Sequence, residues 1–159
     1  MSNILLITPE RCTGCGSCEL ACSFKHEDEF KPTASRVSVL RFEAGVSVPL
    51  TCLQCDEPYC MAVCKTGAID KDADSGLVSV DGNKCIGCRM CVMACPFGNI
   101  NYSVTAKKAV KCNYCDGEPE CALWCPQQAI EYLPQDTATL GRKKAYSAKF
   151  AQLVEEVQS

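Results

Sequence analysis

Residues 85–96 read Cys85-Ile-Gly-Cys88-Arg-Met-Cys91-Val-Met-Ala-Cys95-Pro96, a CxxCxxCxxxC run closed by proline. Working outward, Cys12, Cys15, Cys18 and Cys22 repeat the same spacing. Two stretched versions complete the set. Cys52, Cys55, Cys60 and Cys64 follow CxxCxxxxCxxxC, and Cys112, Cys115, Cys121 and Cys125 follow CxxCxxxxxCxxxC. The 159 residues contain 16 cysteines, so these four groups leave none over. Ile69, Ile100 and Ile130 each fall five positions after the last cysteine of a group. That repeat predicts a turn leading into a short strand, with the isoleucine packed against whatever the cysteines hold. Pro96 and Pro126 would stop the cysteine helix. Lys65 and Ser23 occupy that position in the second and first groups, so nothing dictates the same turn there.

The chemistry follows from geometry. Three thiolates from one tight loop reach three irons of a [4Fe–4S] cube. The fourth cysteine, on the helix that follows, points away and ligates the second cluster of a pair. Sixteen cysteines therefore predict four clusters with every ligand used. Structural zinc normally takes two separated CxxC pairs, and three closely spaced cysteines suit a cube better than one tetrahedral ion. Disulfides need an oxidising compartment. The opening MSNILLITPE, Met1–Glu10, has no basic segment and no small-residue cleavage site, so it is neither a secretory nor a twin-arginine signal. The expected location is the cytoplasm; export would require a partner carrying a signal. No apolar run approaches the roughly 20 residues of a membrane span. A formal charge of −3 argues against nucleic acid as a partner. The 47% hydrophobic content includes the cysteines, so the hydrocarbon core is thin and cofactors are expected to support the fold.

Between the groups, alternating patterns predict hairpins. One pairs Ala68–Asp70 with Leu77–Val80 around Asp72–Gly76. Another pairs Arg36–Phe42 with Val46–Leu50 around Ala44-Gly45. A third pairs Ile100–Val104 with Ala109–Cys112 around Thr105–Lys108. The tail over Leu140–Val157 places Tyr146, Phe150, Leu153, Val154 and Val157 on one side of an amphipathic helix, with Gly141 weakening its first turn. The Cys64–Cys85 connector resembles the one joining the halves of an ordinary two-cluster ferredoxin. It pairs groups two and three, and groups one and four pair by elimination. The expected fold is α+β, with two bacterial-ferredoxin-like dicluster modules, one inserted in the other. Residues 52–95 form the inserted module, 1–51 with 96–135 the discontinuous outer module, and 136–159 a helical tail. Crossed ligation gives four sets: Cys52, Cys55, Cys60 with Cys95; Cys85, Cys88, Cys91 with Cys64; Cys12, Cys15, Cys18 with Cys125; and Cys112, Cys115, Cys121 with Cys22.

No catalytic set accompanies the cysteines. There is one histidine, and there is no GxSxG, no P-loop and no dinucleotide fingerprint. With four thiolates on every cluster, no iron stays open to substrate, and the remaining role is one-electron transfer. A cubane with its four thiolates carries about −2, so four would take the formal −3 to about −11. Arg11, Lys84 and Lys111 each precede the first cysteine of a group, and Thr51 takes that place in the second. They are either cations that raise three cluster potentials above the second, or, as favoured here, solvated side chains at strand ends. His26 is read as a surface residue rather than a neighbour of the group-one cluster. Trp124 is read as a shield against water rather than an electron mediator.

From about residue 3 to residue 133 the sequence resembles the four-cluster electron-transfer subunits of multisubunit oxidoreductases, which serve molybdenum and tungsten enzymes, hydrogenases and carbon monoxide dehydrogenases. The segments ERCTGCGSCELACSFKH (Glu10–His26) and SVPLTCLQC (Ser47–Cys55) look most like the small subunit beside bacterial tungsten aldehyde oxidoreductases. NKCIGCRMCVMACPFG (Asn83–Gly98) is shared more broadly. This resemblance implies a catalytic partner with a tungsten or molybdenum pterin that oxidises an aldehyde to a carboxylic acid. Electrons would pass to a flavin subunit or a ferredoxin. Other complexes remain open: benzoyl-CoA reductase, hydrogenase, formate or carbon monoxide dehydrogenase. So do a free polyferredoxin and, in a different class, a zinc-stapled interaction module. The sequence lacks the C-terminal membrane anchor of some formate dehydrogenase relatives. Clusters near opposite surfaces would also let copies stack through heterologous contacts.

Overall fold

The computed structural model describes residues 3–43, 45–140, 143 and 147. Each cysteine run folds as a tight loop followed by a helix: α1 Ser17–Glu27, α2 Tyr59–Ala62, α3 Met90–Ala94 and α4 Glu120–Leu123. The strands are β1 Asn3–Ile7, β2 Ser38–Arg41, β3 Ser47–Leu50, β4 Ile69–Lys71, β5 Val78–Val80, β6 Asn101–Ser103, β7 Lys108–Val110 and β8 Ile130–Pro134. Among the described residues they pair as four antiparallel two-stranded sheets, β1 with β8, β2 with β3, β4 with β5 and β6 with β7. The three local pairs are the expected hairpins with displaced ends: β4 runs one residue later than Ala68–Asp70, β7 begins at Lys108 rather than Ala109, and the other four strands are shorter. The β1–β8 pair is long-range, with Ile7 opposite Ile130 and Asn3 opposite Pro134.

Helix packing follows the same division. Helix α1 packs on α4, and α2 packs on α3. Two apolar cores result. One gathers Leu5, Val37, Val39, Tyr114 and Ile130 around Cys18, Cys22, Cys112 and Cys121. The other gathers Ile69, Val78, Ile100 and Ala109 around Cys91. This second core extends past residue 95, because the β6–β7 hairpin contributes Ala109 and its approach contributes Ile100.

The turn after each group explains the helix lengths. Gly67, Gly98 and Gln128 donate N–H bonds to the carbonyls of Cys64, Cys95 and Cys125 at 3.2, 3.2 and 3.1 Å. All three have left-handed backbones, with φ of 62°, 64° and 50°. The turn therefore forms at Lys65 without proline; its requirement is a residue that tolerates positive φ three positions after the cysteine. Ile69, Ile100 and Ile130 follow, exposed by only 3%, 3% and 2%. In the first group the buried Ser23 bonds the Leu20 carbonyl at 3.0 Å and accepts Lys31 N–H at 3.1 Å. Nothing stops the helix there, so α1 runs 11 residues where the others run 4 or 5. Most of the tail helix expected over Leu140–Val157 lies outside the described residues; residues 135–140, 143 and 147 are helical. Among the described residues no helix is long and apolar enough to cross a membrane.

Candidate functional site

All sixteen cysteines are free thiols. Three cavities are each lined by four of them. Cys52, Cys55, Cys60 and Cys95 line one. Cys12, Cys15, Cys18 and Cys125 line a second. Cys64, Cys85, Cys88 and Cys91 line a third. In every case three cysteines come from one group and the fourth from the group whose helix packs alongside. The remaining four also come together, with Cys22 in electrostatic reach of Cys112, Cys115 and Cys121. Helix geometry produces the exchange. Cys18 and Cys22 are one turn apart on α1, so a helix packed on α4 offers one thiol to each of two adjacent sites.

The loops that aim these thiols share a backbone requirement. The third residue of each CxxC is left-handed: Gly14 (φ 71°), Gln54 (φ 48°), Gly87 (φ 72°) and Tyr114 (φ 56°). A Cβ at Gly14 would come within 2.6 Å of Ser47 Oγ, and one at Gly87 would overlap the Lys107 carbonyl oxygen. Gln54 and Tyr114 bear a conformational cost of roughly 1–2 kcal/mol, and both are anchored. Gln54 Nε2 donates to the Cys112 carbonyl at 2.7 Å, while its Oε1 accepts from Val78 N at 2.9 Å and Lys111 Nζ at 3.0 Å. Tyr114 is buried edge-on against Tyr132, ring centroids 5.5 Å apart. Sequence reasoning missed both residues. Aligning the four loops would have found them, since glycine at two of four equivalent positions signals positive φ at all four.

Backbone N–H groups point at sulfur throughout. Arg36 donates to Cys22 at 3.3 Å, Ala129 to Cys125 at 3.2 Å, and Gln54, Ala109 and Tyr114 to Cys52, Cys85 and Cys112 at 3.5 Å. Such donors favour charged sulfur. Burial works the other way. It pushes the Cys18 thiol up to about 12 and raises Cys60, Cys91, Cys112, Cys115 and Cys121. The Ser17 hydroxyl draws Cys15 downward. Buried thiols of this kind ionise when a metal supplies the opposing charge. The donor set thus fits an iron–sulfur cluster: four thiols and several N–H donors around a volume. Among the described residues no three His, Cys, Asp or Glu side chains gather about one point as a single ion requires.

Two expectations need correction. Lys111 is not a solvated strand-end residue; it is 3% exposed, its ammonium bonded to Val78 O, Gln54 Oε1 and Cys112 O. Arg11 and Lys84 are exposed as expected, in ion pairs with Glu131 (3.4 Å) and Asp81 (3.7 Å). His26 is half-buried, with Nε2 3.6 Å from Cys115 Sγ, a group-four cysteine. Burial, then the Arg36 charge, holds its pKa down to about 4. Trp124 stands at the end of α4, 52% exposed.

Residues 44–133 match the 4Fe-4S dicluster domain family, and residues 5–24 match a 4Fe-4S binding domain. The sequence is 42% identical over 130 residues to the polyferredoxin-like subunit of an aliphatic sulfonate oxidoreductase from Pyrococcus furiosus, covering 81% of this protein and 75% of that one. It is 35% identical over 151 residues to a subunit of the anaerobic dimethyl sulfoxide reductase of Escherichia coli, covering 82% and 72%. Among solved structures, a component of the benzoyl-coenzyme A reductase active-site complex BamBC aligns over 96% of this protein and 97% of its own length, with a TM-score of 0.48 and 23% identity.

Proposed function

The protein belongs to the 4Fe-4S dicluster domain family, and on that premise we propose that it carries four [4Fe–4S] clusters as the electron-transfer subunit of an oxidoreductase complex. The ligand sets are the four crossed quartets. The observation that carries this reading is the lining of three cavities, each by three cysteines of one group and one of another. Bound clusters supply one-electron transfer between neighbouring sites. The protein's own residues do the rest. Thiolates hold the iron, backbone N–H groups offset negative charge on sulfur, and Ile69, Ile100 and Ile130 exclude water.

The sites form a row. Helix α1 links the Cys12 set to the Cys112 set through Cys18 and Cys22. Cys112 neighbours Cys52 of the next set. Cys60, within α2, and Cys64, just past its end, link that set to the Cys85 set. Cys15 and Cys88, the exposed cysteines, belong to the two end sites. Electron entry and exit lie at these ends, and no substrate is transformed on this subunit. An outer module (1–51 with 96–135) and an inserted one (52–95) are supported by α1 on α4 and α2 on α3, although Ile100 and Ala109 of the outer range pack in the second core.

The partner is a tungsten- or molybdenum-pterin subunit that oxidises an aldehyde, with a flavin subunit or ferredoxin downstream, all in the cytoplasm. This rests on the motif resemblance. The 42% identity to a subunit of an aliphatic sulfonate oxidoreductase favours a second reading, in which the catalytic partner acts on a sulfonate. The test is to tag the protein, purify it anaerobically with its partners and measure metals. About 16 iron per polypeptide, after allowing for partner iron, supports four clusters. Tungsten supports the aldehyde oxidoreductase; molybdenum or nickel without tungsten moves the assignment to another complex. Turnover of aldehydes against sulfonates separates the two substrate readings. Zinc in place of iron overturns the function.

A further inference from the structure

Lys111 immediately precedes Cys112, yet its side chain serves another site. It lines the cavity of Cys52, Cys55, Cys60 and Cys95. Its described hydrogen bonds all go to neutral oxygens: Val78 O, Gln54 Oε1 and Cys112 O. A cation buried so fully is unfavourable unless negative charge lies close by. The thiols of that cavity are a source of it. Thr51 makes the reciprocal crossing. It precedes Cys52, is buried, and its hydroxyl, which has no hydrogen-bond partner among the described residues, lies near the Cys112 thiol. The residues ahead of groups two and four have therefore exchanged sites. Arg11 and Lys84, in the equivalent positions of the other groups, stay in water beside carboxylates, where their fields are screened.

Resting on the four-cluster reading above, we propose that Lys111 sets the reduction potential of the cluster held by Cys52, Cys55, Cys60 and Cys95, across the junction between the two halves. One added electron makes that site more negative by one charge, and a fixed buried cation beside it stabilises the reduced form. Gln54 acts through Lys111 as a positioning residue, since its Oε1 accepts from the ammonium and its Nε2 ties to the Cys112 carbonyl. The group that has no cation of its own in sequence thus receives the buried one.

The test is a redox titration of the anaerobically purified full-length protein, followed by electron paramagnetic resonance. Cys60→Ser and Cys115→Ser identify the signals of the group-two and group-four clusters. Lys111→Met is expected to lower the potential of the Cys60-marked signal more than any other. Lys111→Arg should stay nearer the parent, and Lys84→Met should leave all signals in place. The largest shift in the Cys115-marked signal, or no shift, overturns the proposal while the four-cluster reading stands. A parent protein without about 16 iron overturns both. Where Lys111→Met costs a cluster, the missing signal decides: loss of the Cys60-marked one supports the proposal, and loss of the Cys115-marked one overturns it.

Discussion

The half built from the first and fourth cysteine groups and the half built from the second and third use nearly the same ligand spacing, yet they embed it differently. In the first, Cys18, Cys22, Cys112 and Cys121 are buried; in the second, only Cys91 is. The difference comes from what surrounds the loops. The first half has the long α1, the β1–β8 pair and the β2–β3 hairpin, whose Val39 joins its core. The second has helices of 4 and 5 residues and two short hairpins. Spacing defines a site, but burial sets the energy of charge within it. Low-dielectric surroundings disfavour added negative charge, so the first half is the harder to reduce unless N–H donors offset its burial.

The largest test of this contrast removes one crossed ligand from each half. Cys22→Ala and Cys64→Ala should each lose about 4 of roughly 16 iron. Cys22 also belongs to the buried core, whereas Cys64 is partly exposed. Iron analysis with thermal melts should therefore show the first half unfolding only in the Cys22 variant. Equal melting behaviour would break the comparison. Loss of the group-one signal, rather than the group-four signal, on removing Cys22 would break the crossed ligation.

Truncating the repeated isoleucine comes next. Ile130→Ala should destabilise by roughly 3–4 kcal/mol and Ile69→Ala by roughly 2–3 kcal/mol, because Ile130 sits in the larger core. Glycine substitution reverses the ranking. Gly87→Ala sets a methyl against a backbone carbonyl at positive φ and should cost roughly 2–3 kcal/mol. Gly14→Ala meets a serine hydroxyl that can rotate away and should cost about 1–2 kcal/mol. Denaturant titration of the four variants checks both orders.

The smallest effect sharpens the contrast at the β4–β5 turn. Asp72 Oδ1 accepts from Ser75 N at 2.7 Å and Ser75 Oγ at 2.6 Å, and these bonds hold its carboxyl below the usual range. A depressed folded pKa means stability that is present above the unfolded value and lost as pH falls through the folded one. Asp72→Ala should thus be slightly less stable than the parent, by a constant margin between about pH 5 and 8, narrowing below about pH 4. A margin that grew as the pH fell would contradict the sign.

Much of this molecule is written within a few residues of each cysteine. Loop, helix and following strand are short-range consequences of spacing and turn chemistry, which is why the hairpins and the buried isoleucines could be anticipated. The same locality made Gly14 and Gly87 legible in principle as markers of positive φ, and through them Gln54 and Tyr114. The pairing of β1 with β8 was not anticipated, because Ile4–Ile7 is too short an apolar run to name its partner more than 120 positions away. Burial at Lys111 was hidden as well. In sequence it is equivalent to Arg11 and Lys84, and all three stand one residue before a cysteine. Electrostatic influence follows distance through space and exclusion of water, neither of which is a property of position along the sequence. Cysteine spacing therefore carries what the sites are made of. Packing of one half against the other decides which charge acts on which site.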